Sequence, residues 1–285
     1  MVKTNVQLPY FDGLLAEFGK GNEQAITAFG RHVHWGYWDN PNAADGTVAD
    51  FAAAAESLCR RVCDAGGVDA GSRILDCGCG FGGTIASLND RFSHKQLVGL
   101  NIDDRQLARA REQVQPSNGN QIYFILADAC EMPFEDNSFD VVLAVECIFH
   151  FPSRERFFQE ARRVLASGGR LAICDFVPLP VHLFFSRLAD IFIKSAVAST
   201  YGPFNSNFTL SKYRSLAATT QFSLRHSEDI TANTLPTYPV VRRLQRQMGD
   251  MATERVTAMA ELINRLGLSR YLILSFEVVR YFCFR

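Results

Sequence analysis

The sequence predicts a doubly wound α/β fold: a seven-stranded sheet, mostly parallel with an antiparallel last strand, and a helical cap. Three observations predict it. From Arg73 to Phe176, short apolar runs alternate with amphipathic stretches of helix length. A glycine-rich turn follows the first of those runs directly. Two further strand-like segments, separated by a helical insertion, close the chain.

The five central runs are RILDCG, QLVGLNID, IYFILADA, FDVVLAVE and GRLAICDF, and near-continuous apolar character marks them as parallel strands covered on both faces. Between them, Asp104–Gln115 and Ser153–Leu165 read as helices, the second opened by a Ser cap and closed before a Gly168-Gly169 turn. Upstream, Asp50–Cys63 is predicted helical and the aromatic segment His32–Pro41 an irregular flap over a pocket. Downstream, Val181–Ala198 is an amphipathic helix, either core packing or a lid, and Arg187, Asp190 and Lys194 on its polar face argue against a membrane span. A helix at Leu210–Thr219, a strand at Ser223–Ile230, helical structure over Tyr238–Leu266 and a strand over Tyr271–Phe282 complete the expectation, with the antiparallel member at the sheet edge. In terms of organisation, residues 1–64 are expected to form the N-terminal helical segment and flap, 65–178 the nucleotide-binding core, and 179–285 the cap helices and strand pair of the same domain.

Composition bounds the function. Of the 285 residues 47% are hydrophobic and 21% charged, enough apolar surface to offset chain entropy. Lys plus Arg, 29, nearly balances Asp plus Glu, 30, so no global field draws in a nucleic acid. The start MVKTNVQLPY is polar, with no apolar run of the kind a secretory signal needs, so the eight cysteines are expected to be free thiols in a reducing cytoplasm. The pairs Cys59/Cys63 and Cys77/Cys79 have poor spacing for zinc, and no metal is expected.

Chemistry concentrates in Asp76-Cys77-Gly78-Cys79-Gly80-Phe81-Gly82-Gly83. Its glycines permit a tight turn and let a nucleotide approach the backbone at a helix N-terminus. Gly78, Gly80 and Gly83 satisfy GxGxxG, which a dinucleotide enzyme would satisfy equally. Asp76 separates the readings: a carboxylate there repels a pyrophosphate but attracts a ligand amino group. Asp128, in Leu126-Ala127-Asp128-Ala129 at the end of the third strand, can accept from the exocyclic amine of adenine.

These segments resemble the class I S-adenosylmethionine-dependent methyltransferases, in particular the small-molecule group that includes sugar O-methyltransferases, sterol methyltransferases and ubiquinone/menaquinone methyltransferases. The likeness is specific from about Arg73 to Pro178 and looser from His32 onward. It implies a Rossmann-like core that binds S-adenosyl-L-methionine through Asp76, Gly78, Cys79 and Gly80 at the methionine end, Asn101, Ile102 and Gln106 at the ribose, and Asp128 and Ala129 at the adenine. Tyr37 and Val145 join this set. Where the family commonly has an acidic residue for the ribose, this chain has Asn101, whose amide can accept from one hydroxyl and donate to the other. Asp103 and Asp104 read as helix caps.

The resemblance also implies catalysis. His150, after the fourth strand, would accept a hydroxyl proton, and Asp175, closing the fifth, would orient the imidazole or bind the acceptor. Related sugar O-methyltransferases can carry two adjacent histidines there; this chain has Phe149 beside His150. Glu146, His32 and His34 are further candidates without an assigned role. The acceptor is expected to be small and largely apolar, in a pocket drawn from the flap, Val181–Ala198 and the region Leu235–Leu266, with Tyr201, Tyr213 and Tyr238. O-methylation of a secondary metabolite leads; C- or N-methylation, and a methyltransferase fold serving another reaction or mere ligand binding, remain open, as does a homo-oligomer.

Overall fold

The computed structural model describes residues 8–180, 197–205 and 207–279. Most of the predicted helix Val181–Ala198, and the end of the last predicted strand beyond residue 279, lie outside them.

Helices α1 (Pro9–Gly19) and α2 (Glu23–Phe29) precede the flap, which is irregular as expected apart from a single 3-10 turn at Pro41–Ala43, and α3 (Val48–Gly66) follows. The core then alternates β1 (Arg73–Cys77), α4 (Gly83–Arg91), β2 (Gln96–Asn101), α5 (Asp104–Gln113), β3 (Gln121–Leu126), β4 (Phe139–Val145), α6 (Arg154–Val164) and β5 (Leu165–Pro178). After it come α7 (Leu210–Thr219), β6 (Phe222–Asp229), the short α8 (Thr231–Thr234), α9 (Thr237–Gln247), α10 (Met251–Arg265) and β7 (Ser269–Val278). The seven strands form one sheet in the order β3-β2-β1-β4-β5-β7-β6. Strands β1 to β5 pair in parallel, and β7 is antiparallel to both neighbours.

Side-chain parity divides the sheet into two layers. Leu75, Val142, Ile173 and Leu274 face Phe157, Phe158, Tyr213 and Leu216 of α6 and α7. Ile74, Leu143, Ala172 and Ile273 face Leu58, Val62, Ile85 and Leu88 of α3 and α4. A third cluster joins Leu14, Phe29, Phe51, Val241 and Leu244, tying α1, α2, α3 and α9 together. Local chemistry sets the helix starts as expected: Ser153 Oγ accepts from Arg156 N at 3.1 Å, and Asp103 caps α5 by accepting from Arg105 N at 2.9 Å.

Two expectations need correcting. The Gly168-Gly169 pair is no turn between helix and strand: α6 ends at Val164 and β5 begins at once, the glycines lying where the β4–β5 register shifts, with Gly168 at φ 78°. The antiparallel strand is not at the edge. β7 is buried almost throughout and sits between β5 and β6, whereas polar β6, FSLRHSED, occupies the exposed border. The helical structure expected over Tyr238–Leu266 is present, as two helices separated where Gly249 takes φ 75°.

Candidate active site

Two cavities meet at the carboxyl ends of the parallel strands. The first is a cleft of about 100 Å³ over the glycine loop. The loop turns back on itself with Gly78 and Gly80 at φ 73° and 53°, and Gly78 N and Cys79 N both donate to Leu100 O, at 2.7 and 3.1 Å. A Cβ on Gly78 would lie 2.8 Å from the Cys147 side chain, so only glycine lets the turn pack this closely.

Asp76, Gly78, Cys79 and Gly80 line this cleft. So do Asn101, Ile102 and Gln106 from the end of β2, Asp128 and Ala129 after β3, and Val145 on β4. Asn101 donates through Nδ2 to Gln106 Oε1 at 2.8 Å and accepts from Ile102 N at 2.9 Å, which fixes the amide and still leaves one acceptor lone pair and one N–H. Asp128 Oδ1 accepts from Cys130 N at 2.8 Å, anchoring the loop on that side. Tyr37 is the exception. It lines neither cavity; its ring packs under the Arg61 guanidinium, 4.3 Å away, because the flap turns it toward α3.

Asp76 is 1% exposed, its Oδ2 has no hydrogen-bond partner, and burial pushes its pKa well above the carboxylate range. A buried carboxyl group with an idle oxygen beside two left-handed glycines fits the ammonium of a methionine moiety, which would return it to the ionised form. The residues present therefore fit S-adenosyl-L-methionine.

The second cavity is a chamber of about 670 Å³, walled by Leu14, Phe29, Trp35, Phe149, Phe176 and Phe204, with Val256, Met259 and Ile263 opposite. Tyr201 also lines it, and its hydroxyl bonds Thr257 Oγ1 at 3.1 Å. Tyr213 and Tyr238 do not; both are fully buried in packing. Tyr10, Val33, His34, Glu146 and His150 line both cavities and so form the wall between them.

On that wall, His150 Nδ1 lies 2.9 Å from Pro203 O, and a carbonyl can only accept, so Nδ1 carries the proton. Nε2 is left with its lone pair, 3.3 Å from the Tyr10 hydroxyl, which donates to it. Burial lowers the His150 pKa to about 4, so the imidazole is neutral across the physiological range. Glu146 stands beside it at φ 52°, a left-handed conformation unusual for a side-chain-bearing residue. Its Oε2 accepts from Trp35 N at 2.9 Å and from the Tyr271 hydroxyl, and burial raises its pKa to about 8.

The expected pairing of His150 with Asp175 does not form. Asp175 is fully buried, lines neither cavity and is bonded instead to Arg154 and Tyr213. Strand β5 runs on to Pro178, so Asp175 is not at its end, and parity sends its side chain with Ile173 and Val177 toward α6 and α7. Phe176, one residue on, faces the chamber.

His32 and His34 both line the cleft; His32 is held by Glu56 at 2.8 Å, and His34 Nδ1 lies 2.9 Å from Trp35 O. Sequence reasoning missed Tyr10 and Phe11 altogether. Helix α1 is laid across the cleft by the Asp12–Arg105 ion pair at 2.8 Å and by Phe11 against Phe81. Among the described residues, no group of three or more His, Cys, Asp or Glu is placed to hold a metal. No helix among them is long and apolar enough to cross a membrane.

A Rossmann-like sheet with an acidic, glycine-turned cleft beside an apolar chamber is the architecture of a nucleotide-binding enzyme core. Comparison with known proteins narrows the class. Residues 75–173 match the family model of the methyltransferase domain. The chain is 32% identical over 247 residues, 85% of each sequence, to methyltransferase GfsG of Streptomyces halstedii. It is 36% identical over 172 residues, 58% of this chain and 60% of the other, to the 27-O-demethylrifamycin SV methyltransferase of Amycolatopsis mediterranei (strain S699). Its fold matches geranyl diphosphate C-methyltransferase from Streptomyces coelicolor A3(2), solved with Mg2+, geranyl diphosphate and S-adenosyl-L-homocysteine, at TM-score 0.71 and 18% identity over 95% of this chain and 98% of that one. The chain belongs to the class I S-adenosylmethionine-dependent methyltransferases.

Proposed function

We propose that this methyltransferase O-methylates a small, largely apolar metabolite and that His150 Nε2 accepts the hydroxyl proton. The observation that carries the reading is the position of His150: on the wall shared by the two cavities, with Nδ1–H tied to Pro203 O and Nε2 unprotonated. The bound donor supplies an electrophilic methyl group on a sulfonium. Asp76 would hold its amino group, Asn101 and Gln106 the ribose, and Asp128 the adenine, all of them residues of the cleft.

For the acceptor, Phe149, Phe176 and Phe204 supply an aromatic wall that excludes water, and the hydroxyl takes the place of Tyr10 at Nε2. A base with a pKa of about 4 is always in its receptive form but has low proton affinity, which favours phenolic or enolic hydroxyls over simple alkanols. The O-methylating relative from Amycolatopsis supports the same bond type. Tyr37, which sits outside the cleft, is given no part in holding the donor, and Asp175 is given no direct contact with His150.

The test is a panel of apolar phenols and alcohols incubated with donor carrying an isotopically labelled methyl group. Label on oxygen of a phenol, with His150→Ala lowering turnover by roughly two to four orders of magnitude and leaving donor affinity little changed, is the expected result. Label on carbon or nitrogen, or unchanged turnover in the variant, overturns it.

A further inference from the structure

The Asp175–Arg154 ion pair is almost wholly removed from water, its side chains 0% and 3% exposed. Such a pair rarely stabilises a fold more than apolar side chains of the same bulk. Its bonds lead elsewhere. Arg154 Nη2 donates at once to Asp175 Oδ2 at 2.8 Å and to Asn205 O at 2.9 Å, while Nε donates to the Tyr213 hydroxyl at 3.0 Å. The Tyr213 hydroxyl donates to Asp175 Oδ2 at 2.5 Å, which holds the carboxylate in place. Asn205 N donates to Phe149 O at 2.8 Å, and upstream in the same segment Pro203 O accepts from His150 Nδ1. Between them Phe204 packs its ring 4.6 Å from Phe149 and 6.0 Å from His150.

We infer that Asp175 and Arg154 are positioning residues for His150: the buried pair anchors segment 203–205, whose Pro203 carbonyl selects the Nδ1–H tautomer and leaves Nε2 open to the acceptor. The link depends on one guanidinium serving two acceptors in a plane, which a lysine ammonium does not reproduce. Its functional meaning rests on the proposed role of His150, but the tautomer can be read without turnover. Other titratable groups on the chamber walls are Tyr10 and Glu17 from α1, His34 from the flap, Glu146 after β4, Tyr201, and Asp250 at the start of α10.

The experiment is histidine-selective 15N NMR on the whole enzyme. Native protein is expected to show His150 as the Nδ1–H tautomer, titrating at about 4. Replacing the pair together, Arg154→Met with Asp175→Leu, removes both charges at little cost to folding and cuts the tether. His150 then populates both tautomers, and turnover falls at least about tenfold while donor affinity holds within about twofold. Arg154→Lys is expected to mix the tautomers in the same way. Tyr213→Phe keeps the Arg154–Asn205 bond and is expected to leave the tautomer unchanged.

A purely structural pair would lower the melting temperature in these variants without changing the tautomer. The proposal is overturned by an Nε2–H tautomer in the native enzyme, or by folded charge-removed protein whose His150 behaves as native. If the NMR follows expectation while His150→Ala turns over normally, the proton-acceptor role fails and the positioning link stands.

Discussion

The Tyr271 hydroxyl donates to Glu146 Oε2, joining β7 to the end of β4 across the intervening β5. The phenol holds the Glu146 pKa down against burial, which nonetheless carries it to about 8. In Tyr271→Phe the carboxyl is expected to titrate higher still, a shift that 13C NMR of labelled glutamate reads directly.

The same residue makes stability depend on pH in a definite direction. With a folded pKa of about 8 against an ordinary 4.5, the native state binds more protons than the unfolded chain between those values. Its contribution is therefore present below pH 4.5 and lost as pH rises through 8. Thermal melts from pH 5 to 9 are expected to show Glu146→Gln gaining on the native protein as pH rises; parallel curves would contradict the assignment.

Asp76 should govern donor binding. Because burial favours its neutral form, engagement of the donor's amino group is expected to release a proton, seen in calorimetry as a heat that varies with the buffer. Asp76→Asn is expected to weaken donor affinity by roughly thirtyfold or more, the effect of breaking a buried charge pair. A buffer-independent heat and an unchanged Kd would remove Asp76 from the site.

Gly83 opens α4 directly beneath the flap. A Cβ there would fall 2.2 Å from Arg31 O and 2.6 Å from His32 Nδ1, so Gly83→Ala must push the flap away. A loss of about 1–3 kcal/mol in denaturant unfolding is expected, as for other overpacked sites.

The chamber can be narrowed without disturbing the cleft. Ala260 lines the chamber and not the cleft, and Ala260→Phe is expected to raise acceptor KM by roughly tenfold with donor affinity unchanged. Steady-state kinetics on a phenol the native enzyme accepts would check it.

Much of this was legible because it is written locally. The five apolar runs predicted β1 to β5, two later strand-like segments predicted β6 and β7, and the capping roles of Ser153 and Asp103 follow from one side chain and the next turn. The glycine loop announced the cleft, whose lining includes every donor-site residue singled out from the sequence except Tyr37. What was not legible depends on parity and docking. The face that Asp175 takes is set by how far β5 continues, and the sequence shows no stop between Phe176 and Pro178. Tyr10 reaches His150 only because α1 lies across the sheet, a tertiary event with no local mark. Glu146 did leave a signal, a carboxylate ending the otherwise apolar run FDVVLAV, where the chain has no cheap way to place it in water.

The partition formed by Tyr10, Val33, His34, Glu146 and His150 is a single layer of side chains serving two tenants. A change at any of the five is felt in both rooms, whereas the far side of the chamber, from Val241 to Asn264, contributes nothing to the cleft. Under the proposed assignment of chamber to acceptor and cleft to donor, diversification confined to that far side exchanges one acceptor for another while the donor goes on meeting the same surface.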